Sequence, residues 1–226
     1  MALTAPRLTA YAAGLRQWHQ QFPGAVRWRI TAQGLEVEGS PGGPPRTLGQ
    51  PTTLTRICQQ WGRQLEQAAA QGQVPAELLV ATVATESGGD SGAVRLEPGY
   101  WTDERTPDRM SAGLCQLLLS TAREVLDAPR LSRRDLLDPQ SNLLAAARQI
   151  SRQSDARHLR AGLRGQHATD FDPPRVAAAY NAGGLYREQA PANPWRLRCY
   201  PLGTGRHITS WVRWYNDAWA VLGGGA

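Results

Sequence analysis

The spacing of apolar residues changes character near residue 50. Before that point, Val26, Trp28 and Ile30 alternate with Arg27 and Arg29, and Leu35 and Val37 alternate with Glu36 and Glu38. A period of two predicts a β-hairpin with its turn near Gly34. Its Arg and Glu rows can pair across the wet face, which supports the register but adds little stability. A short helix is expected over residues 7–20, ending near Pro23-Gly24, and Gly39 to Pro45 reads as a loop or linker. A soft boundary there divides a small N-terminal helix and hairpin extension, 1–50, from a main domain, 51–226.

From Thr53 the period becomes helical, with Leu54, Ile57, Trp61 and Leu65 on one face. A second helix opens at Pro75, runs through Leu78, Leu79 and Val83 to Glu86, and stops at Gly88-Gly89. Residues 90–112 are polar, contain Pro98 and Pro107, and read as a long loop. Thr121 and Glu124 have capping-box spacing before Val125 and Leu126. Asp138-Pro139 and Asp172-Pro173 each predict a helix start, the second helix running through Val176, Ala179 and Tyr180 to Gly183-Gly184. Ile208, Trp211, Val212, Tyr215, Trp219 and Leu222 form the apolar stripe of a closing helix, read as a face docked on the core. The pattern as a whole predicts a mainly α domain with a small β element near its start.

Composition narrows the function classes. Of the 226 residues, 41% are hydrophobic, enough for a real core. The net charge is +6, and all 25 basic residues are Arg. They are scattered without a dense run, so the charge suits anionic envelope polymers and carries no nucleic-acid motif. Three spread cysteines, Cys58, Cys115 and Cys199, make neither a disulfide framework nor a metal-ligand pair and read as free thiols. The four histidines, 19, 158, 167 and 207, have no ligand spacing, so no metal or cofactor is expected. No apolar run reaches membrane-spanning length and no secretory leader is evident, so synthesis in the cytoplasm and a monomeric chain without stable membrane insertion are expected.

Glu86 is the carboxylate whose position says most. Leu79, Val83 and Glu86 fall at i, i+4 and i+7, so the carboxyl ends an apolar helix face. Partial desolvation there would raise its pKa, and an acid still protonated near neutral pH can protonate a glycosidic oxygen. The competing reading is a frayed helix end in water, with an ordinary carboxylate.

Three segments bear on that choice: Thr85 to Asp90, Ser111 to Ala122 and Ala178 to Gly184. In this order they resemble the lytic transglycosylase and goose-type lysozyme family of peptidoglycan-cleaving enzymes. Glu86-Ser87, Gly113-Leu114-Cys115-Gln116 with Ser120-Thr121-Ala122, and Ala179-Tyr180-Asn181-Ala182-Gly183 carry the likeness, and Asp138 to Asn142 looks like the family's intervening helix start. Cys115 and Leu119 stand where the family usually has Met and Pro. The resemblance covers roughly residues 55–220 and implies an α+β, lysozyme-like catalytic domain.

It also implies roles. Glu86 would be the catalytic acid and then base. Tyr180 would orient its carboxyl, Asn181 and Gln116 would hydrogen-bond the sugar, and Ser87, Ser111 and Gly113 would line the cleft. Each has a plainer reading: a core aromatic for Tyr180, capping for Asn181, a satisfied buried amide for Gln116, and turn chemistry for Ser111 and Gly113. The implied reaction is cleavage of the MurNAc–GlcNAc β-1,4 bond by a single Glu, leaving 1,6-anhydro-muramyl ends. A hydrolytic muramidase would instead need a second carboxylate, and Asp90, Glu97, Asp103, Glu104 and Asp108 are candidates that spacing does not separate. A wall-binding module without chemistry is a further alternative. The implied partner is the peptidoglycan glycan strand, reached in the periplasm after phage lysis, as for an endolysin, or after secretion.

Overall fold

The stripe of Leu54, Ile57 and Leu65 becomes the buried face of α1 (Thr52–Gly72) in a computed structural model, which describes Leu8, residues 13–154 and residues 168–223. His158 and His167 lie outside the described residues, as do residues 7 and 9–12 of the expected first helix. Gln73, in the left-handed region, turns the chain after α1. Gly72 is required by close approach, because a Cβ there would lie 2.6 Å from Ala147 Cβ on α5 (Pro139–Ser154).

Helix α2 (Ala76–Glu86) starts after Pro75, as expected. It is not amphipathic: every residue from Ala76 to Ala84 is buried, so α2 is an axis packed between α1 and α7 (Arg206–Val221). The closing stripe docks as expected, with Ile208, Trp211, Val212, Tyr215 and Trp219 all buried. Among the described residues no helix is long and apolar enough to cross a membrane.

The hairpin forms between β1 (Trp28–Thr31) and β2 (Gly34–Val37). Arg29 faces Glu36 at 2.8 Å and Arg27 faces Glu38 at 3.3 Å, both on the wet side. Trp28, Ile30 and Leu35 enter the same core as the helices. Asn216 of α7 clamps the turn, accepting from Leu35 N at 2.7 Å and donating to the carbonyls of Leu35 and Pro45. Gly34 must be glycine here, since its φ is +123° and a Cβ would sit 2.6 Å from Asn216 Oδ1. The helix expected over 7–20 is corrected in its described part, residues 13–20. Among the described residues from 13 to 20 the helical part is a 3₁₀ turn at Ala13–Arg16, and His19 exchanges backbone hydrogen bonds with Trp28, extending the hairpin.

The long loop expected over 90–112 is also corrected. It contains β3 (Val94–Leu96) and β4 (Met110–Ala112), which with β5 (Leu117–Leu118) make an antiparallel sheet in the order β3-β4-β5. Strands of two or three residues are too short to display an alternation. The capping box at Thr121 and Glu124 does not form, because α3 (Leu119–Val125) begins two residues earlier. A capping box sits instead at Ser132 and Asp135, starting α4 (Arg133–Leu137). Pro139 opens α5 and Pro173 opens α6 (Pro173–Ala182), both as predicted. The mainly helical architecture read from the pattern, and the α+β fold that the resemblance implies, are the ones observed.

Candidate active site

Glu86 closes α2 at the wall of a groove of about 640 Å³. The chain turns away directly after it, because Gly88 and Gly89 both adopt positive φ. Gly89 also packs on α1, where a Cβ would come within 2.8 Å of Ile57 Cγ1. Arg56 and Trp61 of α1 donate to the Gly88 and Gly89 carbonyls at 2.6 and 3.2 Å. The helix end is therefore clamped on one side and open to the groove on the other.

The carboxyl itself is mostly buried, with its side chain 20% exposed. Burial pushes its pKa up from 4.5 to about 7, against the pull of the Arg95 guanidinium. The alternative of an ordinary carboxylate in open water does not describe this group. His207, from the first turn of α7, brings Nε2 to 3.8 Å from Glu86 Oε1. Burial holds this imidazole at about 4, so it is neutral near pH 7.

Ser111, Gln116, Tyr180 and Asn181 line the groove together with Glu86, while Ser87 and Gly113 do not. Ser87 turns inward, donating from Oγ to the Leu114 carbonyl at 2.7 Å and accepting from Gly89 N, so it joins α2 to the segment before β5. Gly113, with φ +77°, faces Asn142, and a Cβ there would collide with that amide and with the Leu136 carbonyl. Its small size makes room for a buried side chain rather than for a sugar.

Three groove residues make hydrogen bonds to the protein itself. The Tyr180 hydroxyl donates to the Cys115 carbonyl at 2.9 Å, not to the Glu86 carboxyl. Its pKa lies well above the usual value, through burial first and then the nearby Cys115 and Glu86. Both amide hydrogens of Gln116 are in use, on the Ala93 and Gly113 carbonyls at 3.0 Å, and its Oε1 accepts from Ser111 Oγ. Asn181 Oδ1 accepts from Tyr200 N. These groups build the wall before they touch any ligand.

Asn142, Arg95, His207 and Tyr200 escaped the sequence reading. Asn142 is fully buried; it accepts from Cys115 N and donates to the Ala112 and Leu136 carbonyls, at 2.8 to 3.0 Å. It stands in the Asp138 to Asn142 segment noted only as a helix start, and its partners lie up to 30 residues away along the chain, beyond any local pattern. Arg95 and His207 are brought to Glu86 from β3 and α7, which no local spacing announces.

Among the acidic candidates, Glu97 and Asp108 line the groove. Glu97 also pairs with Arg95 at 2.8 Å. Asp103 is tied to Arg133 at 2.6 Å, and Asp90 accepts from Gly92 N. All three cysteines are free, and Cys115 is wholly buried with its thiol pKa raised well above the usual value, which leaves it inert. Among the described residues, no group of three His, Cys, Asp or Glu side chains could hold a metal ion.

Compared with known families, residues 63–194 match the model described as the transglycosylase SLT domain, a span that runs from α1 to the loop before α7 and includes Glu86, Tyr180 and Asn181. No curated protein matches the chain.

Proposed function

The chain belongs to the transglycosylase SLT domain family, matching its model over more than half its length, and on that premise we propose that Glu86 cleaves the MurNAc–GlcNAc β-1,4 bond of peptidoglycan alone. Membership makes peptidoglycan the substrate and transglycosylation the general chemistry. The assignment of the reaction to Glu86 is supported by one observation above the rest: a carboxyl held near pH 7 by burial, on the wall of an open groove.

In its neutral form Glu86 gives its proton to the glycosidic oxygen as the C1–O bond breaks. The resulting carboxylate then takes a proton from the C6 hydroxyl of the muramyl sugar as that oxygen closes on C1, leaving a 1,6-anhydro end. No water is consumed, so one carboxyl suffices. A hydrolytic reading has one specific support, the presence of Glu97 and Asp108 in the same groove. An inverting hydrolase would use such a group as base, about 6.5–9.5 Å from the acid. The setting we propose is bacterial cell lysis, the chain acting in the periplasm once phage lysis or secretion has released it there.

Mass spectrometry of digested peptidoglycan decides between these readings. Products lighter by one water, with anhydro-muramyl ends, are expected. Reducing muramyl ends would replace the proposal with hydrolysis by a second carboxylate, and no products at all would leave a wall-binding module.

A further inference from the structure

His207 has no part in the chemistry as the sequence suggested it, yet the fold delivers it to the reacting carboxyl. It sits in the first turn of α7, the helix that also holds the hairpin. Gly205 caps that helix without a side-chain oxygen, and the backbone amides of Gly205, His207 and Ile208 point instead at the buried Cys199 sulfur. The α7 terminus is thus anchored, which fixes the backbone from which the imidazole reaches toward Glu86. The ring is mostly buried, its side chain 12% exposed, and Nε2 has no hydrogen-bond partner. A buried polar nitrogen without a partner is costly and calls for a reason. The polar side chain set before it is Glu86, whose Oε1 lies at 3.8 Å, just beyond hydrogen-bond length.

We propose that His207 is a positioning residue for Glu86, its Nε2 holding the carboxyl in the orientation from which the proton leaves and to which the second proton returns. The inference rests on Glu86 being the catalytic acid. The imidazole stays neutral throughout. With its hydrogen on Nε2, the ring donates to Glu86 Oε1 in the first half-reaction, while Oε2 carries the proton that will leave. After the proton has moved to the glycosidic oxygen, the same tautomer goes on donating to Oε1 of the new carboxylate, so the ring hydrogen never changes nitrogen. No proton is lost to His207 in either half, so the balance of the reaction is unchanged. The other groups around this pair are Arg95 and Glu97 on β3 and beside it, Asp108 across the groove, Tyr180 on α6, and the Cys115 and Cys199 thiols. Of these, Arg95 alone brings a positive charge to bear on Glu86, and it does so from the solvent side with its own side chain largely exposed. His207 supplies the inner contact that Arg95 cannot.

The test uses the full chain on soluble, uncross-linked glycan strands, with kcat and KM followed from pH 4 to 9. His207→Leu, which keeps bulk and removes both polar nitrogens, is expected to lower kcat about 10- to 100-fold with KM nearly unchanged. It should also move the basic limb of the kcat/KM profile to higher pH, since the carboxylate loses its donor. His207→Gln, which keeps an amide donor, is expected to restore most of kcat and return the limb toward the wild-type position. Should His207→Leu fold poorly, the His207→Gln profile and the Glu86 carboxyl titration followed by carbon NMR in wild type and His207→Gln carry the test. An unchanged pH profile and kcat in His207→Leu, or equal loss in both variants, overturns the positioning role. Failure of the underlying reading looks different: Glu86→Gln would then still cut, whatever His207 does.

Discussion

At the scale of single residues, two buried titrating groups lie side by side and pull in opposite directions. Glu86 is raised from 4.5 to about 7, and burial is the main cause. Between those values the folded chain keeps a proton the unfolded chain has lost, so this group's contribution to stability is full below about 4.5 and lost as pH rises through about 7. His207 is lowered from 6.5 to about 4, so its contribution is full above 6.5 and lost as pH falls through about 4. Across the shared window the two slopes largely cancel. Removing one exposes the other. Glu86→Gln is expected to lose most lytic activity, to keep the fold, and to gain stability at pH 8 but not at pH 4. His207→Gln should gain at pH 4 and not at pH 8. Each gain is on the order of 3 kcal/mol, taking about 1.4 kcal/mol per pKa unit. Thermal melts of the three proteins at both pH values check this, and a stability of Glu86→Gln that tracks wild type at pH 8 would count against a desolvated carboxyl.

At the scale of elements, the site is held by the segment between β4 and β5 rather than by the helices that flank it. Asn142 reaches from α5 to bind this segment at both ends, and Gly113 leaves the space it needs. Asn142→Ala strands a buried amide and two carbonyls, with an expected loss of about 2–4 kcal/mol. Gly113→Ala combines a strained φ with a collision, and a loss of at least about 1–3 kcal/mol is expected. Denaturant midpoints measure both. Activity should fall along with stability, because Tyr180 and Gln116 hang from the same backbone. Ser111→Ala, by contrast, removes a single 3.2 Å bond to Gln116 and should cost about 1 kcal/mol or less.

At the scale of the whole molecule, the N-terminal hairpin and the helices share one core. Asp172, fully buried before α6, accepts from Trp28 Nε1 at 2.8 Å and pairs with Arg175 at 3.0 Å and His19 at 3.1 Å. Burial alone would lower the His19 pKa, but the hydrogen bond to Asp172 and its charge raise it above 6.5 on balance. The stability that His19 brings is therefore full below 6.5 and lost as pH rises through its folded value. Asp172→Ala leaves the Trp28 indole without its acceptor and removes the buried charge that pairs with Arg175 and His19, and a loss of about 3–5 kcal/mol is expected. Urea unfolding should show it in one transition shared by hairpin and helices. A separate early transition for the hairpin would contradict the shared core.

What the sequence decided by itself follows from periodicity, from proline and glycine at helix ends, and from three short motifs. These suffice for a mainly helical chain, the hairpin register through its Arg and Glu rows, the closing helix, and Glu86 as the group to test. Such features are local: each depends on neighbours within a few positions. The β3-β4-β5 sheet lay hidden because its strands are shorter than the pattern needed to see them. The inward turn of Ser87, the partner of Gly113, and the saturation of Gln116 lay hidden because each is set by residues far along the chain. Only the tertiary structure could decide that Glu86 is dry, that Arg95 and His207 face it, and that Asn142 braces the wall. A pKa depends on what surrounds a group in space, and here the surroundings come from α2, α6, α7 and β3, which meet only when the core closes.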